Sequence, residues 1–244
     1  MDGRMITDPM ALARHPGDAT ILRAGPQLRE YGAIADRIAE DGPGHILDWG
    51  CGFGYMMNAL HGRGVRVSGL DYRPEVREEG TFPLARYPHL EAFVTREPIT
   101  LPFPSATFDA VLSCGVLEHV LDPDASLDEL RRVLSPGGVF YVYKLPNRYA
   151  YIERLAKWSG SLYYHGALPN DRVYTRRRAV ELLQRHGFEI QEFRRRNVLP
   201  LSLVGPLATA ATPAIWGLNR VLSRVPVLNL IATNLDVVAT APAR

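Results

Sequence analysis

The sequence predicts an α/β protein whose core is a doubly wound, mostly parallel seven-stranded sheet with helical lid insertions. Hydrophobic segments of strand length alternate with segments of helical periodicity, the pattern of a parallel sheet covered on both faces. Residues 139–145 are apolar through most of their length, as expected of a strand buried on both sides. A loop with glycine at every second position follows the first strand, where such sheets bind ligands.

Each element has its own local signal. Tyr31, Ile34 and Ile38 recur at helical spacing and predict a helix at 27–40. Strands are predicted at 45–49, 65–71, 91–95, 108–114, 139–145, 188–195 and 235–240, the last of them antiparallel at the sheet edge. Further helices are predicted at 54–61, at 124–134, from a cap at Thr175 to residue 186, and, because proline favours the first helical position, at 74–79.

Composition limits the partners that we expect. The net charge is +2 and the arginines are spread along the chain apart from clusters at 176–178 and 194–196, so no nucleic-acid partner is expected. Cys51 and Cys114 have neither metal-ligand spacing nor a disulfide framework, and no metal is expected. Asp8 and Pro9 interrupt the only apolar stretch near the N-terminus, which favours a cytoplasmic protein without an export signal.

The glycine loop predicts a nucleoside pocket. Asp48 ends the first strand, Gly50, Gly52 and Gly54 follow, and Asp71 closes the next strand. Glycines let a ligand lie against the backbone, and the second carboxylate is placed to accept hydrogen bonds from ribose hydroxyls. The third glycine comes one residue too early for a dinucleotide loop, and Asp48 would repel a pyrophosphate but attract an ammonium group. S-adenosylmethionine therefore fits the pattern better than NAD.

From about residue 44 to 147 the chain resembles the class I S-adenosylmethionine-dependent methyltransferases. The D-x-G-C-G-x-G loop is followed, in that group's order and spacing, by motifs at 101–104, 105–109, 116–120 and 132–138. The resemblance implies the Rossmann-like methyltransferase fold, S-adenosylmethionine as cofactor and a small organic methyl acceptor. Oxygen is favoured over nitrogen or carbon as the methylated atom. A protein of this fold without catalysis is the alternative, as is a membrane-peripheral methyltransferase of a quinone or lipid acceptor.

The resemblance also implies which residues hold the cofactor. Asp48, Gly50 and Gly52 would hold the methionine end, and Asp71 the ribose diol. Tyr72 would pack on the adenine, Glu97 would contact its amino group and Pro98 would close the slot. The less favoured alternative for Tyr72 and Glu97 is a position on the surface. Cys51 and Cys114 are expected to line the same site, one in the loop and one at the end of the fourth strand.

Two histidines are candidate catalytic bases. His119 follows the fourth strand, where the reactive methyl group should point, and a neutral imidazole could take a proton from a hydroxyl. His165, beside Tyr163 and Tyr164, is the second candidate. His119 could instead be a pocket wall and His165 part of an aromatic lid, and an amine acceptor would need neither. A metal shared by Glu118 and His119 is disfavoured because adjacent helical residues point to different sides.

We predict one domain over 1–244. Its parts are an N-terminal helical cap at 1–44, a cofactor-binding core at 45–147, and lid or substrate insertions at 148–174 and 197–234.

Residues 198–219 carry no charge, but three prolines argue against a membrane-spanning helix. A helix starting at Thr212 could close over the pocket or form a homodimer contact. Alternatively, segment 198–225 could lie on a membrane with Arg220 and Arg224 at the headgroups.

Overall fold

The structure, a computed structural model, describes residues 25–158, 170–201 and 205–243. Its strands are β1 Ile46–Trp49, β2 Val67–Tyr72, β3 Gly80–Leu84, β4 Tyr87–Thr95, β5 Phe108–Cys114, β6 Leu134–Pro146, β7 Glu189–Arg196 and β8 Asn234–Thr240. Its helices are α1 Gly25–Asp41, α2 Tyr55–His61, α3 Pro123–Val133, α4 Tyr151–Trp158, α5 Arg176–Arg185, α6 Pro206–Ala210, α7 Thr212–Leu222 and α8 Pro226–Asn229.

The strands form one sheet in the order β3-β4-β2-β1-β5-β6-β8-β7. The five central strands are parallel, while β3, as the hairpin partner of β4, and β8 pair antiparallel with their neighbours. The predicted α/β class is confirmed. Within the described residues the sheet has eight strands rather than the predicted seven, because the hairpin adds β3.

The helix predicted at 74–79 is wrong. A turn at Pro74 leads directly into the β3–β4 hairpin. The hydroxyl of Thr95 donates a hydrogen bond to Glu79 at 3.0 Å, which ties this turn to the end of β4. Pro74 stands at a position that suits the first residue of a helix. Few apolar residues follow it at helical spacing, so a helix here would have no apolar face to bury.

The edge position predicted for the last strand is also wrong, although its antiparallel direction is confirmed. Strand β8 lies between β6 and β7. Leu235, Val237 and Ala239 of β8 are fully buried, whereas no residue of β7 is. The charged side chains of β7 suit a sheet edge, because they disfavour pairing with another strand.

Helices cover both faces of the sheet and bury alternate residues of the central strands. Ile46 packs in a cluster with residues of α1 and α2, whereas Leu47 packs in a cluster with residues of α3 and α5. The predicted cap at Thr175 is confirmed, because its hydroxyl accepts the Arg178 N–H at 3.2 Å. Among the described helices, including the 11-residue α7, none combines the length and apolarity needed to cross a bilayer.

Candidate functional site

A cavity of about 330 Å³ lies at the carboxyl ends of β1, β2 and β5. Seven of the predicted site residues line it: Asp48, Gly50, Cys51, Gly52, Asp71, Cys114 and His119. Gln27 and Tyr31 of α1, Tyr55 of α2, Arg73 and Lys144 add further polar side chains to its wall. The acids, the glycine loop and one candidate base, which the sequence places in separate motifs, are therefore brought together.

The glycine loop needs its glycines for backbone conformation and for space. Gly50 and Gly52 have φ angles of +75° and +53°, in the left-handed region that favours glycine. A Cβ on Gly50 would lie 2.6 Å from the Val116 side chain, whereas a Cβ on Gly52 would enter open space. The loop thus presents bare main chain to the cavity at Gly52.

Asp48 is a buried acid with unused hydrogen-bonding capacity. Its side chain is 2% exposed, and its Oδ2 has no hydrogen-bond partner. Burial, assisted by the nearby Asp71 carboxylate and opposed by a backbone hydrogen bond from Met57, raises the pKa of Asp48 to about 7. Leaving a buried polar atom unpaired is unfavourable. A cationic hydrogen-bond donor in the cavity would relieve both the missing bond and the like-charge repulsion.

Asp71 has a partner that the sequence analysis missed. Its Oδ2 lies 2.6 Å from Nε of Arg73, and both side chains are almost fully buried. The pair is local in sequence, but only the fold shows that Arg73 turns inward rather than toward solvent. Arg73 lines the same cavity, so this end of the cavity carries a guanidinium group beside the carboxylate.

Three predicted cofactor residues do not line this cavity. Tyr72 is 37% exposed, Pro98 is half-buried, and Glu97 borders a different depression of about 430 Å³ beside Arg96. The backbone N–H of Glu97 donates to the Thr95 hydroxyl at 2.9 Å. The roles assigned to these residues stay predictions.

The two cysteines that line the cavity have raised pKa values. Burial raises the pKa of Cys51 and of Cys114 well above the ordinary thiol value. Both side chains are therefore protonated at neutral pH. In the part of the chain that the structure describes, no three acidic, histidine or cysteine side chains are arranged to hold a metal ion.

His119 is held by an acid that lies 52 residues away in sequence. Its Nδ1 lies 2.7 Å from Oδ1 of Asp171, and its Nε2 lies 3.7 Å from Glu118. The His119 side chain is 45% exposed, whereas that of Asp171 is 6% exposed. A carboxylate only accepts, so Asp171 favours hydrogen on Nδ1 of His119, while Nε2 faces the buried Glu118 carboxylate. His165, the other candidate base, lies outside the described residues.

Lys144 supplies a fixed cation on the cavity wall. It has φ +65° in β6, where the pairing with β8 shifts register between Val142 and Leu145. Its Nζ lies 3.4 Å from Glu30 and 5.2 Å from the centroid of the Tyr31 ring. Burial alone would lower the pKa of Lys144, but Tyr31 and Glu30 outweigh it and raise that pKa. In the sequence, this buried cation is visible as a single lysine within an otherwise apolar strand.

Residues 47–142 match a family model described as a methyltransferase domain. A protein of Mycolicibacterium smegmatis named "probable S-adenosylmethionine-dependent methyltransferase" is 32% identical over 172 residues, covering 68% of this chain and 60% of that protein. A ubiquinone biosynthesis O-methyltransferase of Xylella fastidiosa is 32% identical over 117 residues, covering 45% and 44% of the two chains. This chain therefore spans less than two thirds of the length of these relatives.

Among solved structures, the fold is shared with the 1,6-didemethyltoxoflavin-N1-methyltransferase of Burkholderia thailandensis, solved with 1,6-didemethyltoxoflavin and S-adenosylhomocysteine bound. The two superpose with a TM-score of 0.55 over 95% of this chain and 92% of that one, at 18% identity. At that identity the likeness establishes the fold alone.

Proposed function

We propose that this chain, whose residues 47–142 carry the methyltransferase domain of the class I S-adenosylmethionine-dependent family, transfers a methyl group to a small organic acceptor. The observation that carries the proposal is the buried, unpartnered Oδ2 of Asp48 beside bare main chain at Gly52. A ligand with a cationic amino-acid end meets both features, whereas the Asp48 carboxylate would repel a dinucleotide pyrophosphate.

The residues around the cavity fit S-adenosylmethionine, which supplies a methyl group on a positively charged sulfur. Asp48 would accept hydrogen bonds from its ammonium group, and Asp71 from its ribose hydroxyls. The glycine loop would let the ligand approach the backbone closely. Lys144 and Arg73 are cations on the same wall, each paired with an acid. Because the methyl donor is already activated, the protein contributes mainly by positioning the two reactants.

We further propose that the acceptor atom is a hydroxyl oxygen, with His119 as the general base. His119 takes the hydroxyl proton on Nε2 while the oxygen bonds to the methyl carbon, and the electron pair of the broken carbon–sulfur bond stays on sulfur. Asp171 positions the imidazole through its hydrogen bond to Nδ1. The name of the Xylella fastidiosa relative supports oxygen as the methylated atom and a quinone precursor as an acceptor to test first.

The test has a binding arm and a turnover arm. Calorimetry should show that S-adenosylmethionine and S-adenosylhomocysteine bind the wild-type chain and the surface variant Asp36→Asn equally well. A panel of phenolic, aliphatic hydroxyl and amine acceptors should then release S-adenosylhomocysteine, with hydroxyl acceptors preferred. Absence of binding would overturn the cofactor assignment. Binding without turnover on any acceptor would favour a non-catalytic protein of this fold, and turnover on amines alone would refute the oxygen assignment.

A further inference from the structure

We infer that the C-terminal helices α7 and α8 dock on an anionic lipid bilayer, whose headgroup phosphates enter a pocket of arginines. The pocket is a second cavity, of about 670 Å³, at the carboxyl end of β7. Six arginines line it: Arg176, Arg194, Arg195, Arg196, Arg220 and Arg224. They come from α5, β7 and the α7 region, so only the fold collects them. The inference is independent of the proposed methyl transfer, because it needs neither cofactor nor acceptor.

The positive charge of the pocket is largely uncompensated. Arg194 pairs with Glu192, and Arg196 lies 3.6 Å from Asp236. The ion pairs of the described residues include none for the other four arginines. Burial and the neighbouring Arg176 lower the pKa of Arg195, as expected where like charges crowd together. Guanidinium groups bind phosphate oxygens in a bidentate manner, so a phosphate is a suitable counter-ion.

Two aromatic rings hold the arginines in place. Arg176 and Arg195 lie 5.2 and 5.9 Å from the centroid of the Phe193 ring. Arg196 lies 5.9 Å from the centroid of the Trp216 ring. Stacking on a ring restricts a guanidinium group and keeps its donors directed outward. The pocket is therefore preorganised for an anion.

The segment 197–235, which contributes Trp216, Arg220 and Arg224 to the pocket, also exposes apolar side chains and carries no acid. Leu218, Val221, Val227 and Leu230 are 52%, 59%, 74% and 45% exposed. No aspartate or glutamate occurs from residue 197 to 235. Arg220 and Arg224 lie on the same segment as these exposed side chains. Aliphatic side chains beside arginines, without acids, are typical of segments that lie in the headgroup region of a membrane.

Charge argues for a bilayer rather than a second copy of this chain. A twofold contact centred on the pocket would bring the same surface of each subunit together and place arginines opposite arginines. Like charges across an interface are strongly unfavourable. A bilayer with anionic lipids matches both parts of the surface, since its phosphates complement the pocket and its acyl region accepts the aliphatic side chains.

Vesicle co-sedimentation of the full chain tests the inference. Binding should be strong to phosphatidylcholine vesicles containing about one-third phosphatidylglycerol, weak to pure phosphatidylcholine, and reduced by added salt. At about fivefold per arginine, the double variant Arg220→Gln/Arg224→Gln should bind the anionic vesicles roughly 25-fold more weakly. The variant Val221→Ser/Val227→Ser should also bind less.

The control is Arg66→Gln/Arg77→Gln, which removes the same charge from two exposed arginines outside the pocket. It should bind anionic vesicles nearly as well as wild type, and circular dichroism should show every variant folded. Three results would overturn the inference. The first is equal binding to neutral and anionic vesicles, and the second is an equal loss in the pocket and control variants. The third is calorimetric binding of inorganic pyrophosphate without vesicle binding, which would assign the pocket to a soluble phosphorylated ligand.

Discussion

The carboxylate of Asp71 accepts a hydrogen bond from Nε of Arg73 at 2.6 Å, and both side chains are almost fully buried at the end of β2. A carboxylate has about four acceptor positions, so it can hold Arg73 and still accept from a diol. Breaking a buried ion pair by removing one member costs about 3–5 kcal/mol in general, although Glu75, 4.0 Å from Nη1 of Arg73, would stay close to the guanidinium. Substitutions at Asp71 therefore act on folding as well as on ligand binding.

Asp71→Asn keeps the shape of the side chain but removes its charge. We expect affinity for S-adenosylhomocysteine to fall by about 1–3 kcal/mol, because the ligand's hydroxyls lose a charged acceptor. Calorimetry on protein shown to be folded by circular dichroism measures this, with Asp36→Asn as the exposed control. A folded Asp71→Asn protein with wild-type affinity would contradict the placement of the ribose.

Ligand affinity should depend on pH through Asp48. Its pKa of about 7 means that a proton must leave the carboxylate before it pairs with an ammonium group. Affinity for S-adenosylhomocysteine should rise with pH up to about 7 and fall roughly tenfold per unit below pH 6. Calorimetry between pH 5 and 7 should show this slope for wild type and a flat, weaker profile for Asp48→Asn. Parallel profiles for the two proteins would exclude Asp48 as the titrating group.

The free energy of unfolding should also depend on the ionisation of Asp48, but it should change with pH in the opposite direction to ligand affinity. The folded pKa of about 7 lies above the unfolded value of about 3.9, so the folded state holds the extra proton between these values. The free energy of unfolding therefore falls as pH rises through this window. Asp48→Asn should be more stable than wild type by roughly 1–3 kcal/mol at pH 8, with the gap closing toward pH 4. Urea unfolding at pH 8 and at pH 4 measures the stability difference between the two proteins. A difference that does not change with pH would refute the titration of Asp48 as its cause.

His119 and Asp171 should affect turnover in different ways. His119→Gln should lower kcat by a factor of about 10²–10⁴ for a hydroxyl acceptor, the range typical of a lost general base. Asp171→Asn should lower kcat less, because the amide oxygen of asparagine can still accept the hydrogen bond from Nδ1. Cofactor affinity should stay unchanged in both variants. Unchanged kcat in His119→Gln would make His119 a pocket wall.

Gly52 and Gly64 form a matched pair for testing the loop. Both have positive φ, +53° and +77°, and a Cβ on either would meet no atom within 4 Å. Alanine at either position should therefore cost a similar 1–2 kcal/mol of stability. Only Gly52→Ala should weaken S-adenosylhomocysteine binding, since its methyl group would enter the space expected for the ligand. Equal binding by the two variants would show that the ligand does not approach Gly52.

Elements with a strong local signal were predicted well. The strand at 108–114 and the helix capped by Thr175 match the structure, because burial on both faces and capping are encoded within a few neighbouring residues. The strand β3 was missed because its residues, Gly80–Leu84, include a proline and lack a clear alternation. Its strand identity comes from pairing with β4, and pairing is not visible in a short segment.

The sequence by itself determined the glycine loop, since the need for positive φ at Gly50 and Gly52 and the spacing of two acids after consecutive strands are local properties. Only the tertiary structure decided that Asp171 holds His119 and that arginines from separate elements share one pocket. Such contacts depend on how distant segments pack. The raised pKa of Asp48 has the same origin, because desolvation comes from the whole fold rather than from neighbours in the chain.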